Sequence, residues 1–344
     1  MKFLSRPPID FRAGSLPGWL VWLLVASILA VSCVLWNLSK QDAGDSQVTE
    51  FVVQSSDAST IAGGVRDVQQ NASSPTETAS NHARLAELTQ QTFDGATHPL
   101  DPLLELAQAV LVEIDSNLQD YSTTLINHVF ADGKLQPQKT LFCKVRQAQK
   151  NPDGALVPLS IYTKFVEPQA LAGQEVIWVD GWNDNQLVAH AAGMLNLKRV
   201  FLDPNGARAM AGNRRPVYDL GIRTLLIKMM EIGNRDRKYD ECAVQLSRGL
   251  KIGDRNCTLI EVVHPQRRDH FEFHVARIFL DDQRGFPIAF EGYSWPDEIL
   301  ADPLSDLTKL PLLEKYYYTD LKFNIGLTDQ DFRPENPDYH FPSW

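Results

Sequence analysis

Cysteine is scarce in this sequence, and the signature motifs of several enzyme classes are missing from it. Four cysteines in 344 residues are too few for a disulfide scaffold, and no two of them form a Cys-x-x-Cys motif. The sequence has no Gly-x-x-x-x-Gly-Lys loop, no Gly-x-Ser-x-Gly elbow and no His-Glu-x-x-His helix. These absences exclude the P-loop, α/β-hydrolase and zincin types of site. We expect a protein that is not an enzyme and that has no cofactor.

Net positive charge is also lacking. The formal net charge is −10, whereas broad nucleic-acid binding needs a basic footprint. We therefore expect no nucleic-acid partner. The share of hydrophobic residues, 44%, and of charged residues, 22%, is ordinary for a globular protein.

Cys242 and Cys257 leave two alternatives open. They form one disulfide if the domain lies in an oxidising compartment. A hairpin centred near Gly253 does not place them opposite each other, and in that arrangement both stay free.

The N-terminus contains the longest apolar run. Residues 19–36 carry no charge, and as a helix they are about 27 Å long, close to the roughly 30 Å of a bilayer core. Lys2, Arg6 and Arg12 precede the run, and Asp42 and Asp45 follow it. By the positive-inside rule, we expect residues 1–18 in the cytoplasm and residues 19–38 as a single-pass anchor in the cytoplasmic membrane. The rest of the chain is then extracytoplasmic.

Two alternatives to this anchor remain open. Ala30-Val31-Ser32 before Cys33 has the small-x-small character of a signal-peptidase site, and it also resembles a poor lipobox. Cleavage or lipidation at Cys33 would then replace the intact anchor.

Residues 39–97 differ in composition from the rest. Ser, Thr, Gln, Ala, Asn and Asp dominate, and Phe51 and Phe93 are the only aromatic residues in this range. Such a segment does not bury enough apolar surface to offset its ordering entropy, so we expect a disordered linker.

Residues 98–344 carry the patterns of a folded domain. Apolar residues at helical spacing follow Asp101, which is the expected N-cap. A second helix is predicted in "DLGIRTLLIKMMEIG", and Asp219 is expected to cap its first turn. Between and after these helices we count about ten strand segments with mostly short turns. The predicted fold class is therefore α+β, with an antiparallel, meandering, curved sheet whose one face the helices cover.

Two clusters are candidates for a site. Asn213, Arg214 and Arg215 precede the second helix, where they either bind a phosphate or carboxylate or pair with acidic residues and hold the loop. His270, Glu272 and His274 alternate along a predicted strand, with a spacing that is a weak indication of zinc and that a solvent-facing strand also produces.

The stretches "LDPNGARAMAGNRRPVYDLGIRTLL", "HPQRRDHFEFHVARIFLDD" and "YYYTDLKFNIGLTDQDFRPENPDYHF" carry a family resemblance. From about His98 to Phe341 the chain resembles a bacterial envelope family, domain of unknown function 1571, which implies no catalytic residue. The layout is more remotely similar to the lipoprotein-carrier superfamily of LolA and LolB. That similarity implies an unclosed β-barrel, a half-barrel domain over 98–344, which binds acyl chains on a concave face under helices.

Two functions are expected from these observations. The first is a membrane-anchored extracytoplasmic domain that binds a lipid or lipoprotein acyl chain; the alternative is a non-enzymatic envelope structural or interaction module without a ligand. The sequence does not fix which strand face is concave. The candidate cavity residues are Ile177, Trp178, Leu226, Met229, Phe273 and Phe279.

Overall fold

The computed structural model describes residue 83 and residues 98–151, 153–191, 198–297 and 302–343. The predicted cytoplasmic N-terminus, the membrane anchor at 19–38 and the alternatives at Cys33 lie outside the described residues, as does the linker except for Ala83. Among the helices that are described, none is both long enough and apolar enough to cross a membrane.

The first described helix, α1, spans Asp101–Asn117. Leu106, Val110 and Ile114 recur every four residues, so they share one face, and that face is buried. The prediction that Asp101 caps this helix is wrong: Asp101 is already helical, and Leu100 holds the N-cap position without a side-chain cap. Leu100 is itself buried in the core, and Pro102 lies in the first helical turn, where proline is tolerated.

Fourteen strands and two further helices follow in the described residues. Before the second helix, the strands are β1 Asp120–Ala131, β2 Lys134–Leu135, β3 Lys139–Arg146, β4 Gln149–Lys150, β5 Leu156–Val157, β6 Ser160–Glu167, β7 Glu175–Val179, β8 Leu187–His190 and β9 Val200–Leu202. The helices are α2 Ala207–Met210 and α3 Ile222–Asp236. The remaining strands are β10 Ala243–Ile252, β11 Arg255–Val263, β12 Val275–Asp281, β13 Pro287–Tyr293 and β14 Leu312–Phe323.

One large antiparallel sheet holds all strands but β4 and β5, which pair with each other. Its order is β10-β11-β12-β13-β14-β1-β3-β6-β7-β8-β9, and β2 pairs with β1. Two meanders are therefore joined where the last strand, β14, returns to pair with the first. Strands β9 and β10 remain as the two edges, so the sheet is not closed. Each of the ten predicted segments contains a strand; the short strands and the β14–β1 pairing were not predicted.

The two faces of the sheet differ in what covers them. Paired residues of antiparallel strands lie on the same face, and neighbours along a strand lie on opposite faces. We call inner the face that contains the paired row Ile260, Ile278, Phe290 and Tyr316. Helices α1 and α3 pack against this face, and their buried residues join those of the sheet in one core.

The outer face is partly covered by the end of the chain. Tyr162 of β6, Ile177 of β7 and Val188 of β8 form a buried cluster with Phe332 and Phe341. Glu175 fixes this C-terminal segment, because its carboxylate accepts hydrogen bonds from the Tyr162 hydroxyl at 2.9 Å and from the His340 backbone at 2.7 Å.

The start of α3 is capped by tyrosines from the sheet. The backbone N–H of Ile222 donates to the Tyr121 hydroxyl at 2.9 Å, and that of Gly221 donates to Tyr318 at 3.3 Å. Gly221 adopts a φ of 130°, and a Cβ there would lie 2.9 Å from the Tyr121 hydroxyl. The prediction that Asp219 caps α3 is wrong, because Asp219 ends a separate 3-10 turn and makes no cap hydrogen bond.

The three described cysteines are free. The hairpin of β10 and β11 places Cys257 opposite Leu250, while Cys242 lies before the first residue of β10. The register of the hairpin therefore separates the two cysteines, and the alternative in which they form a disulfide is wrong. Burial raises the pKa of the Cys242 thiol to about 11 and that of Cys257 to about 12.

Candidate functional site

A cavity of about 320 Å³ lies between the inner face of the sheet and the chain that leads into α3. We call it the large cavity. Strand β1 and the strands β3, β6, β7 and β8 on one side of it supply an apolar floor, which includes Leu125, Val129, Leu141, Phe165, Val176 and Leu187. The alternation of β1, β3, β6 and β7 produces this floor, because every second residue of these strands faces inward.

Charged side chains line the same cavity. Five are basic and two are acidic: Lys139, Arg208, Arg214, Arg215, Lys228, Asp219 and Glu314. Burial raises the pKa of the Asp219 carboxyl, which the charges of Lys228 and Arg215 oppose. The large cavity is therefore amphiphilic, with an apolar floor and a mainly cationic group of polar lining residues.

The predicted arginine pair lies at this cavity, and acidic partners hold it. The Arg215 guanidinium donates to both carboxylate oxygens of Glu314, at 2.6 and 3.0 Å, and lies 3.2 Å from Glu272. Arg214 lies 3.3 Å from Glu272 and 3.5 Å from Glu314. Glu314 has no exposed surface, so the arginines rather than water lie against its carboxylate.

Asn213 is equally engaged. The buried Lys139 ammonium donates to the Asn213 amide oxygen at 2.8 Å and to the Gly212 carbonyl at 2.7 Å. Burial lowers the pKa of Lys139, although the nearby Asp132 opposes that effect. Gly212 has a φ of 66° and donates its backbone N–H to Asp132 at 2.7 Å. The loop before α3 is thus fixed to the sheet at several points, as the structural interpretation of "GNRRP" predicts.

Sequence reasoning missed Arg208. It lies on α2, is exposed, and lines the large cavity. Within the described part of the chain, its side chain has no ion pair or hydrogen bond, unlike those of Arg214 and Arg215. A lone arginine in "NGARAM" gives no sequence signal, because its position at the cavity depends on how the loop folds back over the sheet.

A second cavity, of about 100 Å³, lies between α1, α3 and strands β11–β13. We call it the small cavity. Its lining is apolar, with Val110, Leu226, Phe273 and Ile278 among the residues, except for the polar side chains of Asp236 and His264. Met229, Ile232 and Phe290 line both cavities, so they form a shared wall.

His264 is the more constrained of the two polar residues. It is buried, its ring stacks on Phe271 at 4.0 Å, and Nδ1 lies 3.0 Å from the carbonyl of Phe273. Its Nε2 lies 3.5 Å from the carboxylate of the buried Asp236 and is buried without a hydrogen-bond partner among the described residues. Burial lowers the pKa of His264, and the charge of Asp236 opposes this only in part.

The predicted cavity residues divide between the two faces. Leu226, Met229 and Phe273 line the small cavity, and Met229 also lines the large one. Trp178 is on the inner face, but it packs on Tyr218 at 5.6 Å and lines neither cavity.

Ile177 and Phe279 lie on the outer face, and both are corrected as cavity residues. Ile177 belongs to the cluster under the C-terminal segment, and Phe279 is 6.0 Å from the ring of Tyr317. Phe273 and Phe279 are six residues apart, a spacing that would put them on one face of a continuous strand. Because β12 begins only at Val275, strand alternation does not relate them.

The structure does not bring the weak zinc candidates together. His270 stacks on Tyr239 at 3.7 Å, Glu272 accepts from the arginine pair, and His274 donates from Nδ1 to the His264 carbonyl at 2.7 Å. In the part of the chain that the structure describes, no three His, Cys, Asp or Glu residues are grouped as metal ligands would be.

Comparisons with known proteins locate this domain in one family. The family model described as protein of unknown function (DUF1571) matches residues 118–341, within the range predicted for the resemblance. A search of curated proteins gave no match.

Solved structures show weak overall similarity. A domain from Vibrio parahaemolyticus described as belonging to an outer membrane lipoprotein-sorting protein is 12% identical, with a TM-score of 0.33, over 67% of this chain and 95% of that one. A DUF1329 family protein from Desulfovibrio piger is 12% identical, with a TM-score of 0.30, over 67% and 97%. A LolA superfamily protein from Nitrosomonas europaea is 13% identical, with a TM-score of 0.27, over 66% and 97%.

Proposed function

We propose that this chain, which belongs to the DUF1571 family of proteins of unknown function, binds the acyl chain of a lipid or lipoprotein in its large cavity. The observation that carries the proposal is the amphiphilic lining of that cavity, in which an apolar floor lies below basic side chains. Its volume of about 320 Å³ is at the lower end of the roughly 300–1,000 Å³ of ligand sites.

The apolar floor suits a hydrocarbon chain. Each buried methylene contributes about 0.8 kcal/mol, and the floor offers such a chain contacts from several strands of the inner face. Leu225 and Met229 of α3 line the same cavity from the other side. Met229 can adapt its shape, because methionine is unbranched and has three rotatable bonds.

The basic side chains suit an anionic head. Arg208 is exposed, with no ion pair in the described part of the chain, so it is the residue best placed to meet a phosphate or carboxylate without breaking a contact. Asn213, Arg214 and Arg215 then shape the polar side of the site, and their bonds to Lys139, Glu272 and Glu314 hold it open.

The location of the domain follows from the predicted anchor. With residues 19–38 in the cytoplasmic membrane and residues 39–97 as a linker, the binding domain lies on the extracytoplasmic side, in the cell envelope. A carrier that shuttles between membranes has to leave the first one, so a tethered receiver or sensor of acyl chains fits this arrangement better.

Filling the large cavity tests the proposal. Ala189 of β8 lines the cavity, and Ala189→Phe adds a ring to it, whereas the exposed Ala207 of α2 does not line the cavity. Overpacking that costs the bound chain about 1–3 kcal/mol lowers its affinity by about 5- to 160-fold. The full-length chain and both variants are extracted with organic solvent, and the co-purified lipids are quantified by mass spectrometry.

The expected result is a near-stoichiometric acyl species in the wild type and in Ala207→Phe that is depleted in Ala189→Phe. Bulk lipid from a membrane-bound preparation is the same in all three samples, so only the difference is informative. Equal lipid in the two variants would refute acyl binding in this cavity.

One observation favours a second candidate function, a non-enzymatic envelope interaction module without a small ligand. Most of the basic side chains of the large cavity are held by partners within the domain, as in a purely structural network. The same extraction separates the two functions, because the module predicts the same lipid content in Ala189→Phe, in Ala207→Phe and in the wild type.

A further inference from the structure

The small cavity has a chemical asymmetry that acyl binding in the large cavity does not use. Its lining is apolar everywhere except at Asp236 and His264, both of which are about 2% exposed. Placing a carboxylate and an imidazole at the end of an apolar space is costly unless their hydrogen bonds are satisfied. Apolar cavities with a few convergent polar groups are characteristic of ligand sites.

The hydrogen bonds of His264 fix which nitrogen carries the proton. The Phe273 carbonyl only accepts, so the Nδ1 atom 3.0 Å away must be the donor. In the neutral ring Nε2 is then an acceptor, and it faces the Asp236 carboxylate, which also accepts, at 3.5 Å. Nε2 has no hydrogen-bond partner among the described residues. Two acceptors thus converge without a donor between them.

The described residues around this pair supply no donor to Nε2. The Arg235 guanidinium donates from Nε to the other oxygen of Asp236 at 2.9 Å. His274 donates from Nδ1 to the backbone carbonyl of His264 at 2.7 Å, and so does the Trp295 indole at 3.1 Å. These contacts hold the backbone and the carboxylate in place, and they leave the Nε2 side of the ring facing Asp236.

We propose that the small cavity is a second binding site, which takes a compact apolar group carrying one hydroxyl or amine. A hydroxyl shares its single proton between His264 Nε2 and the Asp236 carboxylate, whereas an amine donates one proton to each. The apolar body lies against Leu226, Met230 and Phe273. A carboxylate or phosphate is excluded, because it would add a third acceptor. The size of the cavity, about 100 Å³, is below the about 150 Å³ of a cavity that holds benzene, so the bound group is at most a small ring. Such a ring needs the unbranched side chains of Met229 and Met230, which line the cavity, to move aside.

Three probes of similar size test this proposal on the full-length chain. Phenol carries a donor, benzene carries no polar group, and benzoate carries an anion, and their dissociation constants are measured by titration calorimetry. A hydrogen bond to a charged group is worth about a tenfold or larger gain in affinity, so phenol is expected to bind at least about tenfold tighter than benzene. Benzoate is expected to bind weakest.

Two histidine variants locate the effect. His264→Phe keeps the stacking on Phe271 and removes Nε2, so the preference for phenol over benzene is expected to shrink, because Asp236 is then the only one of the two acceptors that remains. His270→Phe is the matched control. His270 likewise stacks on an aromatic ring, that of Tyr239, and its Nε2 is likewise buried without a partner among the described residues, but it does not line the small cavity. The phenol preference is expected to persist in this control.

A second measurement needs no variant, so it still tests the proposal if His264→Phe does not fold. In the wild type, the 15N chemical shift of His264 Nε2 is expected to move upfield on phenol binding, as a lone pair accepts a proton donor, and to stay unchanged with benzene. Equal affinity for phenol and benzene, an unchanged preference in His264→Phe, or no binding of either probe would overturn the proposal. None of these outcomes bears on acyl binding in the large cavity, which lipid extraction measures.

Discussion

Replacing Arg215 by methionine tests whether the arginine pair stabilises the fold through its acidic partners or serves mainly to bind an anion. Arg215 makes two hydrogen bonds to Glu314, at 2.6 and 3.0 Å, and Glu314 is completely buried. Methionine keeps much of the apolar stem of the side chain and removes the guanidinium. The buried carboxylate then loses its strongest partner, whether or not a ligand is present.

The size of the effect follows from what remains. Removing one member of a buried ion pair costs about 3–5 kcal/mol, because the other charge is left uncompensated. Glu314 still accepts from the Tyr316 hydroxyl at 3.0 Å and lies 3.5 Å from Arg214. We therefore expect the lower end, a loss of about 3 kcal/mol in the free energy of unfolding.

Glu314→Gln is expected to cost less than Arg215→Met. It leaves two arginines whose side chains are about a quarter exposed and still face Glu272, so water and that carboxylate compensate them. The double variant is expected to lose less than the sum of the two single variants, by about 1–3 kcal/mol, because both remove the same interaction.

Urea denaturation of the full-length chain measures these differences in the free energy of unfolding. In thermal unfolding, the melting temperature of Arg215→Met is expected to be lower by about 6–12 °C. The matched control is Arg223→Met. Arg223 also makes two hydrogen bonds to one carboxylate, Asp115, but the two side chains are 38% and 46% exposed. Exposed pairs contribute about 0–1 kcal/mol. If Arg215→Met cost no more than this control, the arginine pair would not support the fold and the anion-site interpretation would gain.

Two further predictions concern other parts of the sheet. Burial raises the pKa of Glu175, but hydrogen bonds from His190, the His340 backbone and Tyr162 outweigh it and lower the pKa to about 2. The Glu175 carboxylate therefore contributes fully to the stability of the fold above pH 4.5, its ordinary pKa, and this contribution is lost as the pH falls towards 2. Glu175→Gln lacks this titration, so its stability is expected to decline less steeply over that pH range. Acid titration followed by circular dichroism measures the decline. Gly292→Ala is expected to lose about 1–3 kcal/mol in urea denaturation, because a Cβ would overlap the ring of Phe273; Phe273→Leu in the same chain is expected to restore part of it, and an unchanged loss would contradict the overlap.

The sequence by itself determined the elements and the framework of the domain. Helix α1 and the strands are specified locally, because apolar residues recur at helical spacing or alternate, and glycine and aspartate mark the turns. The family resemblance followed from long stretches such as "LDPNGARAMAGNRRPVYDLGIRTLL", which the family model covers. The structural role of Asn213 and of the arginine pair was one of two interpretations that local charge left open.

Only the tertiary structure decided which side chains share a cavity. Whether Ile177 or Trp178 faces inward depends on the register of β7 against β6 and on which face the helices cover, and neither is encoded within the strand. Phe273 lies outside the strand, because β12 begins two residues after it, at Val275. Arg208 and the Asp236–His264 pair became visible only when α2, α3 and β11 were packed on the sheet, because residues 28 positions apart in the chain carry no local signal of their contact. Periodicity fixes which residues lie side by side within an element, while long-range packing fixes what each face meets.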